Sequence, residues 1–129
     1  MRKFPFLTIP QALVMLRVIT ALIFIAHAVI RVTGSTVERF GVFLNSQGFV
    51  MGTTIVWILT AYEIIGGLLM TFGFLTRWLA LGFFLILTVG LILIHAANGW
   101  FVGEHGTGGM EYSILLMAVL LAIAAADKK

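Results

Sequence analysis

Thr53-Thr54-Ile55-Val56-Trp57-Ile58-Leu59-Thr60-Ala61-Tyr62-Glu63-Ile64-Ile65-Gly66-Gly67-Leu68-Leu69-Met70-Thr71-Phe72-Gly73-Phe74 carries a single charged residue, Glu63, in an otherwise apolar or hydroxyl-bearing run. Roughly 20 such residues, wound as an α-helix, cross the hydrocarbon core of a bilayer. Every backbone N–H and C=O in lipid must be bonded internally, so a helix is the form this run takes there. Three more runs of the same kind lie along the chain, at about 10–32, 77–97 and 110–126. The expected fold is therefore all-α, an integral membrane four-helix bundle formed by residues 1–129 as a single transmembrane domain.

Composition agrees with that reading. Hydrophobic residues make up 61% of the 129 and charged residues 10%, too little polar surface to cover a water-soluble globule. The short connections leave no room for a soluble catalytic domain. A formal charge of +3 comes from scattered Lys and Arg, with none of the basic patches that bind nucleic acid. Cysteine is absent, which excludes disulfides, thiol nucleophiles and c-type haem attachment on this chain. Redox chemistry here would have to come from a bound cofactor or a partner protein.

The beginning of the chain imitates a cleavable leader: Arg2 and Lys3, an apolar run, then Ala26-His27-Ala28. The run from Ile9 is longer than a usual leader core and Arg17 interrupts it, so it reads as the first spanning helix, with Pro10 in its first turn. Between the first two spans lies Val37-Glu38-Arg39-Phe40-Gly41-Val42-Phe43-Leu44-Asn45-Ser46-Gln47-Gly48-Phe49. This connection is expected to lie in the interface or dip inward, because Phe40, Phe43, Leu44 and Phe49 have nothing else to cover. A glycine-rich connection, 98–109, precedes the last span. Arg2, Lys3, Arg77, Lys128 and Lys129 fall on one side, against Arg39 and Arg31 on the other, so both termini are expected in the cytoplasm.

The informative residues are the ionisable ones inside the spans: Arg17, His27, Arg31, Glu63, His95 and Glu111. A charge at the bilayer centre costs about 2.5–3.5 kcal/mol on insertion scales, so such groups turn inward and find partners. Arg17, His27 and Arg31 share an arc of roughly 80° on the first helix. Glu63 shares its face with Gly66 and Gly67, where a neighbouring helix can approach closely. Counting roughly 1.5 Å per residue from the cytoplasmic ends puts Arg17 at about 10 Å and Glu63 at about 16 Å, which predicts an Arg17–Glu63 pair, structural or proton-relaying. The same count puts His27, His95 and Glu111 at roughly 25, 27 and 22 Å, a second layer near the outer surface with Arg31 above it. Those residues form the candidate ligand site, and Glu104 and His105 on the glycine-rich connection would close over it. Two histidines and a carboxylate have the composition of a metal site, but no close spacing such as His-x-x-x-His supports one, and none is assigned. The scattered methionines read as packing.

Taken in order, Arg17, Phe24-Ile25-Ala26-His27, Gly48-Phe49, Glu63-Ile64-Ile65-Gly66-Gly67-Leu68-Leu69, Gly73-Phe74-Leu75-Thr76-Arg77, His95-Ala96-Ala97-Asn98-Gly99-Trp100-Phe101 and Glu111-Tyr112 resemble the DoxX family of small four-helix bacterial membrane proteins. The chain departs from that pattern at Ala28, where Gly is usual, and at Val50, where Pro is common. The resemblance implies a multi-pass protein of the bacterial plasma (inner) membrane. It also implies association with quinol oxidase, thiosulfate:quinone oxidoreductase or thiol-stress complexes. A quinone head group would suit a lipid-accessible cluster with histidine donors and proton-carrying carboxylates. The leading expectation is a redox-associated membrane subunit holding a small ligand such as a quinone, alongside a redox enzyme partner or as a homo-oligomer; if an enzyme, it is a subunit of a membrane oxidoreductase. Two other readings stand beside it: a small-solute transporter or channel acting as an oligomer, and a non-catalytic assembly subunit.

Overall fold

Thr8 starts the first helix. Its hydroxyl accepts from the Gln11 backbone N–H at 3.3 Å while the Gln11 side chain accepts from the Thr8 N–H at 2.9 Å. This reciprocal box satisfies two of the donors that a helix start leaves open. In the computed structural model, which describes residues 3–101 and 109–127, the helix so begun is α1, Ile9–Thr33. It stops at Gly34 and Ser35, where Ser35 takes φ 56° and Thr36 turns its N–H and hydroxyl back to the Arg31 carbonyl.

The connection after α1 is itself a helix, α2, Val37–Ser46. It does dip inward: Val37, Gly41 and Leu44 are buried, and Val37 and Leu44 pack with Val56 of the next helix. That helix, α3, Gly52–Thr71, follows Met51 at φ 60°. Its first N–H has no partner of its own and is taken by Asn45 Oδ1 of α2 at 2.8 Å. A cap supplied from a neighbouring helix locks α2 to α3. The two backbones lie so close that a Cβ on Gly52 would overlap the Gly41 carbonyl.

The chain reverses through Gly73 at φ 83° and Leu75 at φ 51°, so α3 ends at Thr71 rather than running on to Phe74. It returns as α4, Thr76–Gly90, extended by a π-helical turn, Leu91–His95, and a 3₁₀ turn, Ala96–Asn98. The last helix, α5, is Glu111–Ala126. Gly99, Trp100 and Phe101 carbonyls accept from the Met110, Glu111 and Gly109 N–H groups, which pins the start of α5 to the end of α4's extension. At the other end the Asp127 carboxylate accepts from the Arg77 N–H at 3.1 Å. The end of α5 therefore lies at the start of α4, beside the α3–α4 turn.

The described residues are all-helical, five α-helices with no strand. Ile9–Thr33, Gly52–Thr71 and the continuous run Thr76–Asn98 are long and apolar enough to cross a membrane; Glu111–Ala126 is apolar but shorter. At 16 residues it reaches about 24 Å. Inside, Phe24 and Phe83 stack with ring centroids 4.1 Å apart, packed with Met70, Ala80 and Leu120. Outside, large apolar side chains such as Ile30, Ile58, Ile65 and Leu121 are more than half exposed. An apolar exterior over an equally apolar core is the pattern of a chain solvated by lipid.

Helices α1 and α3 run antiparallel but are offset. Ala21 and Ile25 lie against Gly67, Arg31 meets Thr60 and Glu63, and Arg17 lies against Gly73. The far end of α1 thus stops opposite the middle of α3, and α2 fills the place beside the remaining half. This offset positions the site.

Candidate functional site

Arg31 sits where α1 ends and α2 begins. Its Nη1 donates to Thr60 Oγ1 at 3.0 Å and to Glu63 Oε2 at 3.3 Å, and the guanidinium carbon lies 5.5 Å from the centre of the Phe40 ring. Only 13% of the Arg31 side chain and 5% of that of Glu63 is accessible. Glu63 stands eight residues from Thr71 and eleven from Gly52, about 12 and 16 Å from the two ends of α3, at mid-depth. There each charge needs the other, since an unpaired one has no water to solvate it.

The expected Arg17–Glu63 pair does not form. Arg17 faces the turn after α3: its Nη2 donates to the Thr71 carbonyl at 3.5 Å, and its buried Nε has no hydrogen-bond partner among the described residues. The offset explains the change of partner. The Arg17 guanidinium lies against Gly73 and the Thr71 carbonyl, and Thr71 is eight residues past Glu63, about 12 Å along the helix. Counting from span ends misses this because it assumes that both helices begin at one level.

Beside the ion pair, a cavity of about 510 Å³ opens between α1, α3, α4 with its extension and α5, with Phe40, Leu44 and Phe49 also in its lining. Its polar lining among the described residues is His27, Arg31, Glu63, His95, Tyr112 and Ser113; the rest is aliphatic, phenyl or Gly90. That volume falls in the range of small-molecule sites, about 300–1,000 Å³. His27 Nδ1 lies 2.8 Å from the Ile23 carbonyl, which can only accept, so Nδ1 donates there and Nε2 is left for another partner. The His27 and Tyr112 rings lie 6.5 Å apart in a near-parallel arrangement. His95 closes the π-helical turn; the wider turn re-aims it relative to a continuous α-helix, a device frequent at functional sites.

Of the sequence-predicted ligand residues, the cavity takes His27, His95 and Arg31. Glu111 is not in its lining. As the first residue of α5 it belongs to the backbone pairing with Trp100, and the next two residues, Tyr112 and Ser113, turn to the cavity instead. Arg31, one turn beyond His27 on α1, is bonded to Glu63, and Glu63 joins the lining. Among the described residues no group of three or more His, Asp or Glu side chains is placed to hold a metal ion. Glu104 and His105 lie outside the described residues. Tyr112, near a span end, carried only the signal of an interfacial aromatic, and Ser113 carried none.

A polar strip inside an apolar chamber can orient a flat, mostly apolar molecule that bears oxygen atoms: Arg31 and Tyr112 donate hydrogen bonds, and His27 Nε2 and the Glu63 carboxylate accept them. Comparison with known proteins agrees with the fold. The chain is 32% identical over 111 residues, 84% of its length and 75% of the relative's, to "Putative oxidoreductase CatD" of Bacillus subtilis (strain 168). No solved structure matches it. The DoxX family model matches residues 12–96, a stretch running from α1 through the π-helical turn that carries His27, Arg31, Glu63 and His95, and the chain belongs to the DoxX family of membrane proteins.

Proposed function

We propose that this protein is a redox-associated membrane subunit that holds a quinone-type ligand in the cavity lined by the Arg31–Glu63 pair. The observation that carries the reading is the meeting, in one apolar chamber at mid-membrane, of a buried ion pair with two histidines and a tyrosine. A quinone is a flat apolar ring with two carbonyl oxygens, and on reduction it becomes a diol that must take up and give back protons. Arg31 and Tyr112 supply donors for carbonyl oxygens, while His27 Nε2 and Glu63 accept from hydroxyls. The name of the Bacillus relative supports redox work in preference to solute transport or pure assembly. With no cysteine on the chain, electrons would pass between the ligand and a partner enzyme. The Lys and Arg distribution supports placing both termini in the cytoplasm of a bacterial cell, with the cavity toward the outer half of the inner membrane.

The test is a titration of purified protein in detergent with a naphthoquinone, followed by tryptophan fluorescence. Saturable quenching is expected, weakened about tenfold or more in His95→Ala and in His27→Ala, the equivalent of about 1.4 kcal/mol for a lost hydrogen bond in an apolar site. A wild-type protein that shows no saturable binding would overturn the assignment.

A further inference from the structure

A second cavity, of about 400 Å³, lies on the outer surface between α3 and α4, lined by Ile55, Ile58, Leu59, Tyr62, Gly82 and Ile86. Ile55, Leu59 and Ile86 line the central chamber as well, so the groove and the chamber share these three side chains. The gap has a cause in the sequence. At Gly82, where a Cβ would overlap Tyr62, α4 has no side chain; Tyr62 lies across it and donates its hydroxyl to the Leu79 carbonyl at 2.9 Å. Nearer the turn, Leu79 and Phe83 pack against Gly66 and hold the helices together. On the other side of Tyr62, Leu93 of the α4 extension packs against the Val37, Leu44 and Val56 cluster, and the groove runs between these two contacts. With the Tyr62 hydroxyl already bonded, its lining offers only hydrocarbon and ring surface, which gives a polar head group no reason to settle in it.

We infer that the ligand of the central chamber is a lipid with a long hydrocarbon tail, and that the tail leaves the protein through this α3–α4 groove past Ile58 and Gly82. The inference rests on the chamber being a ligand site, and it adds what class of ligand is admitted and by which route. A long tail extends out of the chamber, and α2 covers one side of it. The groove shares its wall with the chamber, opens to the acyl region, and bears no group that a hydrocarbon would desolvate. A ligand reaching the site this way comes from the bilayer, so the protein draws on the membrane pool of its ligand and not on the aqueous phase.

Ile58 lines the groove but not the chamber, which makes it the residue on which to test the route. Menadione, a tail-less naphthoquinone, and a polyprenylated naphthoquinone are titrated against wild type and Ile58→Trp. Both compounds are expected to bind the wild type, while the indole obstructs the groove and weakens the prenylated compound about tenfold or more with menadione unchanged. Unchanged menadione binding also reports an intact fold. A photoreactive group on the prenyl chain is expected to label the Ile58–Tyr62 and Ile86 segments, and excess unlabelled compound to prevent it. Equal loss of both compounds, no loss of either, or labelling confined to other helices would overturn the tail route while leaving the chamber assignment standing. Failure of both compounds to bind the wild type would overturn the two together.

Discussion

Arg31 Nη1 lies 3.3 Å from Glu63 Oε2, joining the end of one helix to the middle of another at the depth where the bilayer is least able to solvate a charge. The bond is shared with the Thr60 hydroxyl, which itself donates to the Val56 carbonyl at 2.8 Å, and the guanidinium is covered by Phe40. One arginine thus binds α1, α2 and α3 at one wall of the cavity.

Breaking this pair strands a charge. Glu63→Gln and Arg31→Met are each expected to cost about 3–5 kcal/mol, whereas replacing both by Leu and Met costs much less, because the double variant leaves no uncompensated ion. Thermal unfolding in detergent reads the difference. Single variants as stable as wild type would show that the pair bears no stabilising role.

Arg17 makes the opposite case. With one long hydrogen bond and an unpartnered Nε, its substitution by Met is expected to change stability by less than about 1 kcal/mol, far below the Arg31→Met effect. A loss equal to that of Arg31→Met would mean that Arg17 has an anionic partner in the membrane.

Gly90 lines the cavity, and a Cβ there would meet no atom within 4 Å. Its backbone is helical, φ −61° and ψ −38°, so a larger residue gains about 1 kcal/mol of helix propensity. Gly90→Leu is expected to abolish quinone binding with an unchanged or raised Tm. Binding at wild-type affinity in that variant would place the ligand elsewhere.

Asn45 is expected to matter for α2. Asn45→Ala removes the acceptor for the first N–H of α3 and should cost about 1 kcal/mol, while Asn45→Asp keeps an acceptor and should cost less. Gly41→Ala should cost about 1–3 kcal/mol, since its Cβ would come within 2.7 Å of the Thr53 backbone. Hydrogen exchange of the α2 amides is expected to rise in both Ala variants and to remain at wild-type rates on α5.

The amino-acid sequence by itself determined that the chain is a set of membrane helices with a few inward-facing charges. Hydropathy over some 20 residues is a local property, and a buried charge must turn inward whatever the neighbouring helices do. It also marked His27, Arg31, Glu63 and His95 as the residues to watch, and Phe40, Leu44 and Phe49 as aromatics and aliphatics in need of cover. Only the tertiary structure decided which charges meet. The choice of Arg31 over Arg17 depends on a slide of α1 along α3, set by the close approach of Gly67 to Ala21 and Ile25 and by α2 occupying the rest of α3, and no single helix encodes such a slide. The π-helical turn that re-aims His95 and the replacement of Glu111 by Tyr112 and Ser113 at the cavity wall likewise follow from how the helices pack, because a side chain's direction at a helix end is settled by its neighbours and not by its position in the run.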